Sequence, residues 1–250
     1  MKVFLRLIII ITSIVTLQAL GGNSTPLKKE KWPFEGPFGY FDKTSIQRGF
    51  KVYKEVCQTC HSLKFVSYRN LEKVGFSKEE VKAIAAEYSI NSINDTGDSV
   101  KAPATINDKF VPPFANDLAA RSANNGALPP DLSLIIKARP DGANYLYSLL
   151  TGYSDAPSDM TMASNMYYNP FFPSKQISMP PPLAHGLVSY DDGTQPSIEE
   201  MSRDVVNFLQ WTAEPEMENR KTMGIKAVLY LAIFTVMFFF LKRKIWSKIK

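Results

Sequence analysis

Both cysteines of this 250-residue chain fall in one pentapeptide, Cys57-Gln58-Thr59-Cys60-His61. Two thiols three residues apart, followed at once by an imidazole, are the arrangement for covalent attachment of a c-type haem. Each thiol adds to one vinyl group of the porphyrin and forms a thioether. His61 then lies beneath the iron, with a ring nitrogen available as ligand. Two cysteines suffice for one such group. Other uses of Cys-x-x-Cys meet obstacles here. A thioredoxin-like dithiol belongs in a βαβ context, which the surrounding sequence does not offer. A structural zinc site needs two further Cys or His ligands, and only His185 remains.

An electron carrier needs a second protein ligand, so that the iron neither reorganises nor binds oxygen, and His or Met supplies it. Apart from His185, the candidates between the two ends are Met160, Met162, Met166, Met179, Met201, Met217 and Met223. Met201 falls on the apolar face of a helical pattern, and Met217 and Met223 approach a hydrophobic C-terminal segment. Met179 precedes Pro180-Pro181-Pro182, which fix an extended, stiff backbone able to hold a weak thioether ligand in place. The residues alone leave Met179, His185 and the Met160–Met166 group open.

The elements that must position these groups read as helices. Thr44-Ser45-Ile46-Gln47 is a capping-box pattern, and Ile46, Phe50 and Tyr53 then line one face of a helix running into Cys57. Ser77-Lys78-Glu79-Glu80 opens another, with Val81, Ile84, Ala85 and Tyr88 inward. Asp131–Arg139 and Asn144–Leu150 are shorter candidates. Ser197-Ile198-Glu199-Glu200 starts a further helix, with Ile198, Met201, Val205, Phe208 and Leu209 on its apolar face. No run of alternating residues argues for strands, so the class is mainly α. Residues 89–130, with five Pro and six Asn, and 153–196, with seven Pro, read as long non-helical segments. Their aromatics, Phe110, Phe114, Tyr167, Tyr168, Phe171 and Phe172, are too many for disordered linkers and suit loops wrapped around a large apolar slab.

The two ends differ from the middle. Met1–Ala19 has a basic start (Lys2, Arg6), an apolar run from Leu7 to Leu17 and small residues at Ala19, Gly21 and Gly22, the pattern of a secretory signal cleaved at about 19–22. Gly224–Leu241 is apolar but for Lys226 and Thr235, with Trp246 beyond it, and with its flanks reaches the roughly 20 residues of a spanning helix. Lys242-Arg243-Lys244, Lys248 and Lys250 follow, and the positive-inside bias assigns them to the cytoplasm. The expected organisation is a signal peptide at 1–21, a periplasmic domain at 22–222, a transmembrane helix at 223–242 and a basic tail at 243–250. The overall charge of +5 comes from these ends. Residues 20–223 hold 21 bases against 24 acids, which removes the support for a nucleic-acid partner. Residues 191–218 hold eight acids (Asp191, Asp192, Glu199, Glu200, Asp204, Glu214, Glu216, Glu218) and one base, Arg203. They form either a docking surface for a basic partner or a solvated helix face.

Longer segments are more specific than the pentapeptide: GYFDKTSIQRGFKVYKEVCQTCHSL, RSANNGALPPDLS, NYLYSLLTGY, MYYNPFFPSKQISMPPPL, DDGT, FLQWTAEPE and RKTMG. In these, over nearly all of the chain beyond the signal, the sequence resembles the cytochrome c1 family, the haem subunits of ubiquinol–cytochrome c oxidoreductases (cytochrome bc1 complexes). The resemblance implies a cytochrome c-like haem domain with long haem-wrapping loops and one C-terminal transmembrane helix. It implies iron ligation by His61 and Met179, with His185 an ordinary loop residue, and pairing of Arg121 with a haem propionate. It also implies that Pro129-Pro130 lines the haem crevice. The extra disulfide of some bacterial relatives has no counterpart, since no cysteine exists beyond 57 and 60. By resemblance the chain is an electron-transfer subunit, not an enzyme on its own. It would be reduced by the mobile head of a Rieske iron–sulfur protein and would pass one electron to cytochrome c. It would sit beside cytochrome b in a dimeric complex of the bacterial inner membrane. The alternatives are a membrane-anchored c-type cytochrome serving another oxidase and an open-site haem peroxidase.

Overall fold

The structure, a computed structural model, describes residues 25–248, so the expected signal peptide lies outside the described residues. Among the described residues there are six α-helices, two short two-stranded ribbons and two 3-10 turns. Helix α1 (Lys43–Glu55) leads into the 3-10 turn Cys57–Thr59, and a second 3-10 turn spans Tyr68–Val74. Then come α2 (Lys78–Ala86), an antiparallel hairpin of β1 (Ser89–Ile93) and β2 (Ser99–Pro103), α3 (Asp117–Ala123) and α4 (Gly142–Leu150). The ribbon β3 (Tyr167–Tyr168) with β4 (Gln176–Ile177) precedes α5 (Ile198–Ala213) and α6 (Met217–Trp246).

Helix α1 begins two residues earlier than its sequence pattern suggests. Asp42 caps it, accepting from the amides of Thr44 and Ser45, because a carboxylate two residues ahead reaches the orphan N–H groups before a hydroxyl at 44 does. Ser77 and Glu80 form the expected reciprocal box at α2. At α5, Ser197 caps the Glu200 amide, while the Glu200 side chain turns to Arg48 and Arg203 instead. Asp131–Arg139 forms a series of turns, not a helix, since Asp131 is drawn into bonds with Ser62 and Lys64. The 89–130 segment is more ordered than its composition indicates. It contains the β1–β2 hairpin, closed through Asn94, Thr96 and Asp98, and the helix α3, capped by Asn116.

The core is formed where α1 crosses α5. Ile46, Phe50 and Tyr53 of α1 meet Met201, Val205, Phe208 and Leu209 of α5, and all are buried. Phe50 and Tyr53 lie 5.7 and 5.6 Å from Phe208, ring to ring. Gly49 sets the approach: a Cβ there would lie 2.0 Å from the Asp204 carbonyl oxygen. One side chain over, Arg48 donates from Nε and Nη2 to the two oxygens of Asp204, at 2.8 and 2.9 Å, and Ser45 Oγ donates to the same carboxylate at 2.6 Å. The Asp204 side chain is 0% exposed and that of Arg48 17%.

This buried pair organises the acidic run. Arg48 also holds Asp192 and Glu200, Lys51 holds Asp191, Arg203 holds Glu200, and Lys137 and Arg220 hold Glu214. Lys73 pairs with Glu216, and Glu218 accepts from the Phe41 amide. Seven of the eight acids therefore serve internal bonds, and Glu199 alone has no partner among the described residues. The run is thus partly neutralised by bonds within the domain, while the Asp191 and Glu216 side chains remain 92% and 55% exposed.

Helix α6 starts at Met217, which is buried, and continues unbroken past the expected span on both sides. Its 30 residues extend roughly 45 Å at 1.5 Å per residue, against a hydrocarbon layer of about 30 Å. An 18-residue window has a mean hydropathy of 2.2 with no part of it buried. By length and composition, this is the one described helix able to cross a membrane.

Removing one partner of a desolvated ion pair leaves the other uncompensated, at a cost of about 3–5 kcal/mol. Asp204→Ala should therefore lower the unfolding free energy by that order, read from the denaturant midpoint at constant slope. Gly49→Ala, which forces the helix axes apart, should destabilise by at least about 1–3 kcal/mol.

Candidate haem site

The end of α1 delivers the pentapeptide. The helix closes with the Val56 amide bonded to Val52, and the chain then tightens, with the amides of Cys60 and His61 both donating to the Cys57 carbonyl at 3.1 and 2.8 Å. Gln58 points into the core, where it accepts from the Tyr88 hydroxyl at 2.9 Å. That rotation leaves Cys57, Cys60 and His61 half-buried along one turn. Both cysteines are free thiols. Burial, with the neighbouring Cys60 in second place, pushes the Cys57 thiol up to about 12, so it is protonated at neutral pH.

Two hydrogen bonds orient His61. Its carbonyl accepts from the Tyr53 hydroxyl at 3.0 Å, and its Nδ1 lies 2.8 Å from the Pro130 carbonyl. A carbonyl only accepts, so Nδ1 carries the proton and Nε2 keeps its lone pair, the form that ligates a metal. Burial lowers the His61 pKa, against the opposing influence of the Pro130 bond and the Asp131 charge, which favours the neutral ring. Nε2 has no partner among the described residues.

The Pro130 carbonyl is itself held in place. Asp131 accepts from Ser62 Oγ (2.7 Å), the Lys64 amide (2.8 Å) and the Ser133 amide (2.9 Å). The Leu132 amide donates to the Ser62 carbonyl at 2.9 Å. Residues 61–65 and 130–133 are thus laced together, and the imidazole is fixed relative to both. Tyr53, Pro130 and Asp131 were not singled out as orienting groups from sequence. Their signal was the Pro-Pro-Asp turn and an aromatic hydroxyl two turns before the histidine, neither of which declares a partner.

A shallow, open cleft lies beside the turn. Cys60 and Ser62 form one wall, Pro112 to Asn116 another, and Ala120 of α3 with Leu128 and Pro129 a third. Phe114 belongs to this lining. Phe110 does not: it is buried in the protein core, stacked 4.5 Å from Tyr68. Phe171 packs on Gly152, where a Cβ would lie 2.4 Å from its ring. Arg121 is exposed on α3, next to the cleft wall, and donates to the Gly126 carbonyl at 3.0 Å within the tight Asn125–Gly126 turn. Met179 is half-buried at the end of the β3–β4 ribbon, and its carbonyl accepts from the Tyr153 hydroxyl at 3.0 Å. It is not among the residues lining the cleft. His185 is exposed in a loop. The structure thus brings Cys57, Cys60 and His61 together, sets Arg121 nearby, and carries Met179 on a separate strap.

The donor set fits a covalently held haem: two free thiols on one turn, an imidazole with one nitrogen committed and the other available, and an adjoining cleft in which Pro112, Pro113, Phe114, Leu128 and Pro129 stand beside the polar Lys64, Asn116 and Asp117. Among the described residues no cluster of three or more His, Cys, Asp or Glu offers a competing metal site.

Comparisons with known proteins agree with this geometry. Residues 32–249 match the model of the cytochrome C1 family. The chain is 46% identical over 247 residues to the cytochrome c1 of Rhodospirillum rubrum, covering 92% of this chain and 90% of that one. It is 46% identical over 220 residues to a mitochondrial cytochrome c1 haem protein of Solanum tuberosum, covering 88% and 69%. It is 43% identical over 240 residues to the cytochrome b/c1 of Bradyrhizobium diazoefficiens, covering 87% of this chain and 35% of that longer one.

The Asp131 lattice yields a pH prediction. Burial opposes ionisation of Asp131, but hydrogen bonds from Lys64, Ser133 and Ser62 outweigh it and hold its pKa below the ordinary carboxylate value. The stabilisation is present above the unfolded-state pKa and is lost as pH falls through the lower folded value. Unfolding of the native chain should steepen with acid below about pH 4. Asp131→Asn should be less stable at neutral pH and show a shallower acid slope, both read by urea titration at a series of pH values.

Proposed function

The chain belongs to the cytochrome c1 family, and on that premise we propose that it carries one covalently bound haem c as the electron-transfer subunit of a quinol–cytochrome c oxidoreductase. Electrons would arrive from a Rieske iron–sulfur protein and leave to a cytochrome c. The observation that carries the reading is the His61 ring, fixed by the Pro130 carbonyl with Nε2 free, on the same turn as two free thiols.

When bound, the haem supplies a one-electron iron couple. The chain's own residues do the rest. Cys57 and Cys60 would hold it through thioethers to its two vinyl groups. His61 would offer Nε2 to the iron, and its Nδ1–H bond to Pro130 makes it a stronger donor and stops the ring rotating. Met179, its carbonyl held by Tyr153 and its backbone stiffened by the prolines at 180–182, would supply a thioether ligand. Arg121 would pair with a propionate in place of its bond to Gly126.

Helix α6 anchors the subunit in the membrane, and its basic end fits the positive-inside rule with the haem domain on the opposite, periplasmic side. Lys242 lies 4.4 Å over the Trp246 ring, a pairing suited to an interface anchor. A cytochrome b partner is supported by the relative named cytochrome b/c1.

Three outcomes test the reading. Cys57→Ser and Cys60→Ser each leave one thioether, seen as a shifted pyridine haemochrome band, and the double variant retains no haem on a denaturing gel. Met179→Leu loses the far-red methionine-to-iron charge-transfer band and lowers the midpoint potential sharply. An unchanged oxidised spectrum would remove Met179 as the ligand.

A further inference from the structure

The segment before α1 contains two large aromatics that the fold leaves outside. Phe38 is 82% exposed and Tyr40 60%, whereas Trp32 and Phe34, a few residues earlier, are buried and stacked 5.4 Å apart. An exposed pair on a soluble face would carry little meaning alone. This pair lies on a loop built to hold its shape. The amide of Glu35 donates to Trp32, that of Tyr40 to Pro33 at 2.9 Å, and that of Gly39 to Gly36. Gly36 has φ +70°, and Gly39 sits so close to the backbone that a Cβ would lie 2.3 Å from the Glu35 carbonyl oxygen. Pro37 removes a further backbone freedom next to Phe38. The two rings are therefore displayed, not frayed.

The loop is tied at both ends to the top of α6. The Phe41 amide donates to Glu218 Oε1 at 2.7 Å, and Lys221 Nζ donates to the Phe34 carbonyl. Phe38 is at most four residues from either tie, a reach of about 13 Å at full extension. On α6, Met217 is the last residue buried in the domain, and the exposed apolar surface begins at Met223. From Lys221 to Ala227, where the unbroken apolar run starts, the rise is about 9 Å. The loop thus forms part of the lower edge of the domain, within reach of the headgroup layer that flanks the hydrocarbon by roughly 5–8 Å on each side. Aromatic rings are enriched at that depth because an apolar body and a polar edge or hydroxyl are both satisfied there.

We propose that residues 34–41 are a membrane-resting foot, with Phe38 and Tyr40 seated among phospholipid headgroups beside the α6 anchor. The inference depends on α6 spanning the membrane but not on any step of electron transfer. The foot gives the domain a second contact with the bilayer, separate from the helix, and so sets its tilt.

Site-specific photocrosslinking of the full haem-loaded chain in its native membrane tests this. Phe38 is replaced by p-benzoylphenylalanine, with the same probe at Ile93 on the β1–β2 hairpin (74% exposed) as the solvent-facing control and at Ile233 in mid-span as the inserted control. Mass spectrometry of the irradiated protein should find phospholipid adducts at 38 and 233 and none at 93. Adducts at 233 with none at 38, or crosslinks from 38 only to another polypeptide, would overturn the foot and leave the anchor standing. No lipid adduct at either 38 or 233 would overturn both.

Discussion

Gly49 allows α1 to lie so close on α5 that the space for a methyl group vanishes, and the Arg48–Asp204 pair is sealed beside that contact. The rest of the structure is hung from this crossing. One end of α1 delivers the two thiols and the imidazole. The far end of α5 passes through Glu214 and Pro215 directly into the membrane helix. A charge pair out of water is a poor source of net stability by itself, because desolvating both groups costs about as much as their attraction returns. Its value here is directional. Ser45 and Asn207 complete the network and tie the rotation of α1 to that of α5.

The two proposed ligand positions are held in different ways. His61 stands in a lattice of short bonds, to Tyr53, to Pro130 and indirectly through Asp131 to Ser62, Lys64 and Ser133. Met179 depends on one hydroxyl bond, a two-residue ribbon and the stiffness of three prolines. The histidine side is rigid before any cofactor arrives. The methionine side is held by fewer bonds.

The parts of the molecule that were legible in its sequence are those governed by local rules. The pentapeptide declares its chemistry by spacing, α2 and α5 by their caps and apolar stripes, and α6 by length and composition. What stayed hidden depends on distant partners. The turn at 131–139 has helical spacing, but Asp131 answers to Ser62 and Lys64, 69 and 67 residues away in sequence. The hairpin at 89–103 has half-exposed strands, too weakly alternating to show. The acidic run looked like a surface because charges in a sequence do not reveal their counterions, and Arg48, Lys51, Lys73 and Lys137 all come from earlier elements. Family resemblance singled out Met179 and Arg121, which local physics left undecided or unmarked.

The junction between α5 and α6 has no slack. Glu214 bonds Arg220 and Lys137, Glu216 bonds Lys73, and Glu218 and Lys221 grip the chain on either side of Phe38. These bonds brace the corner against bending, so the turn that carries Cys57, Cys60 and His61 keeps its bearing relative to α6. For the redox role proposed above, travel between donor and acceptor would then fall to the partner molecules.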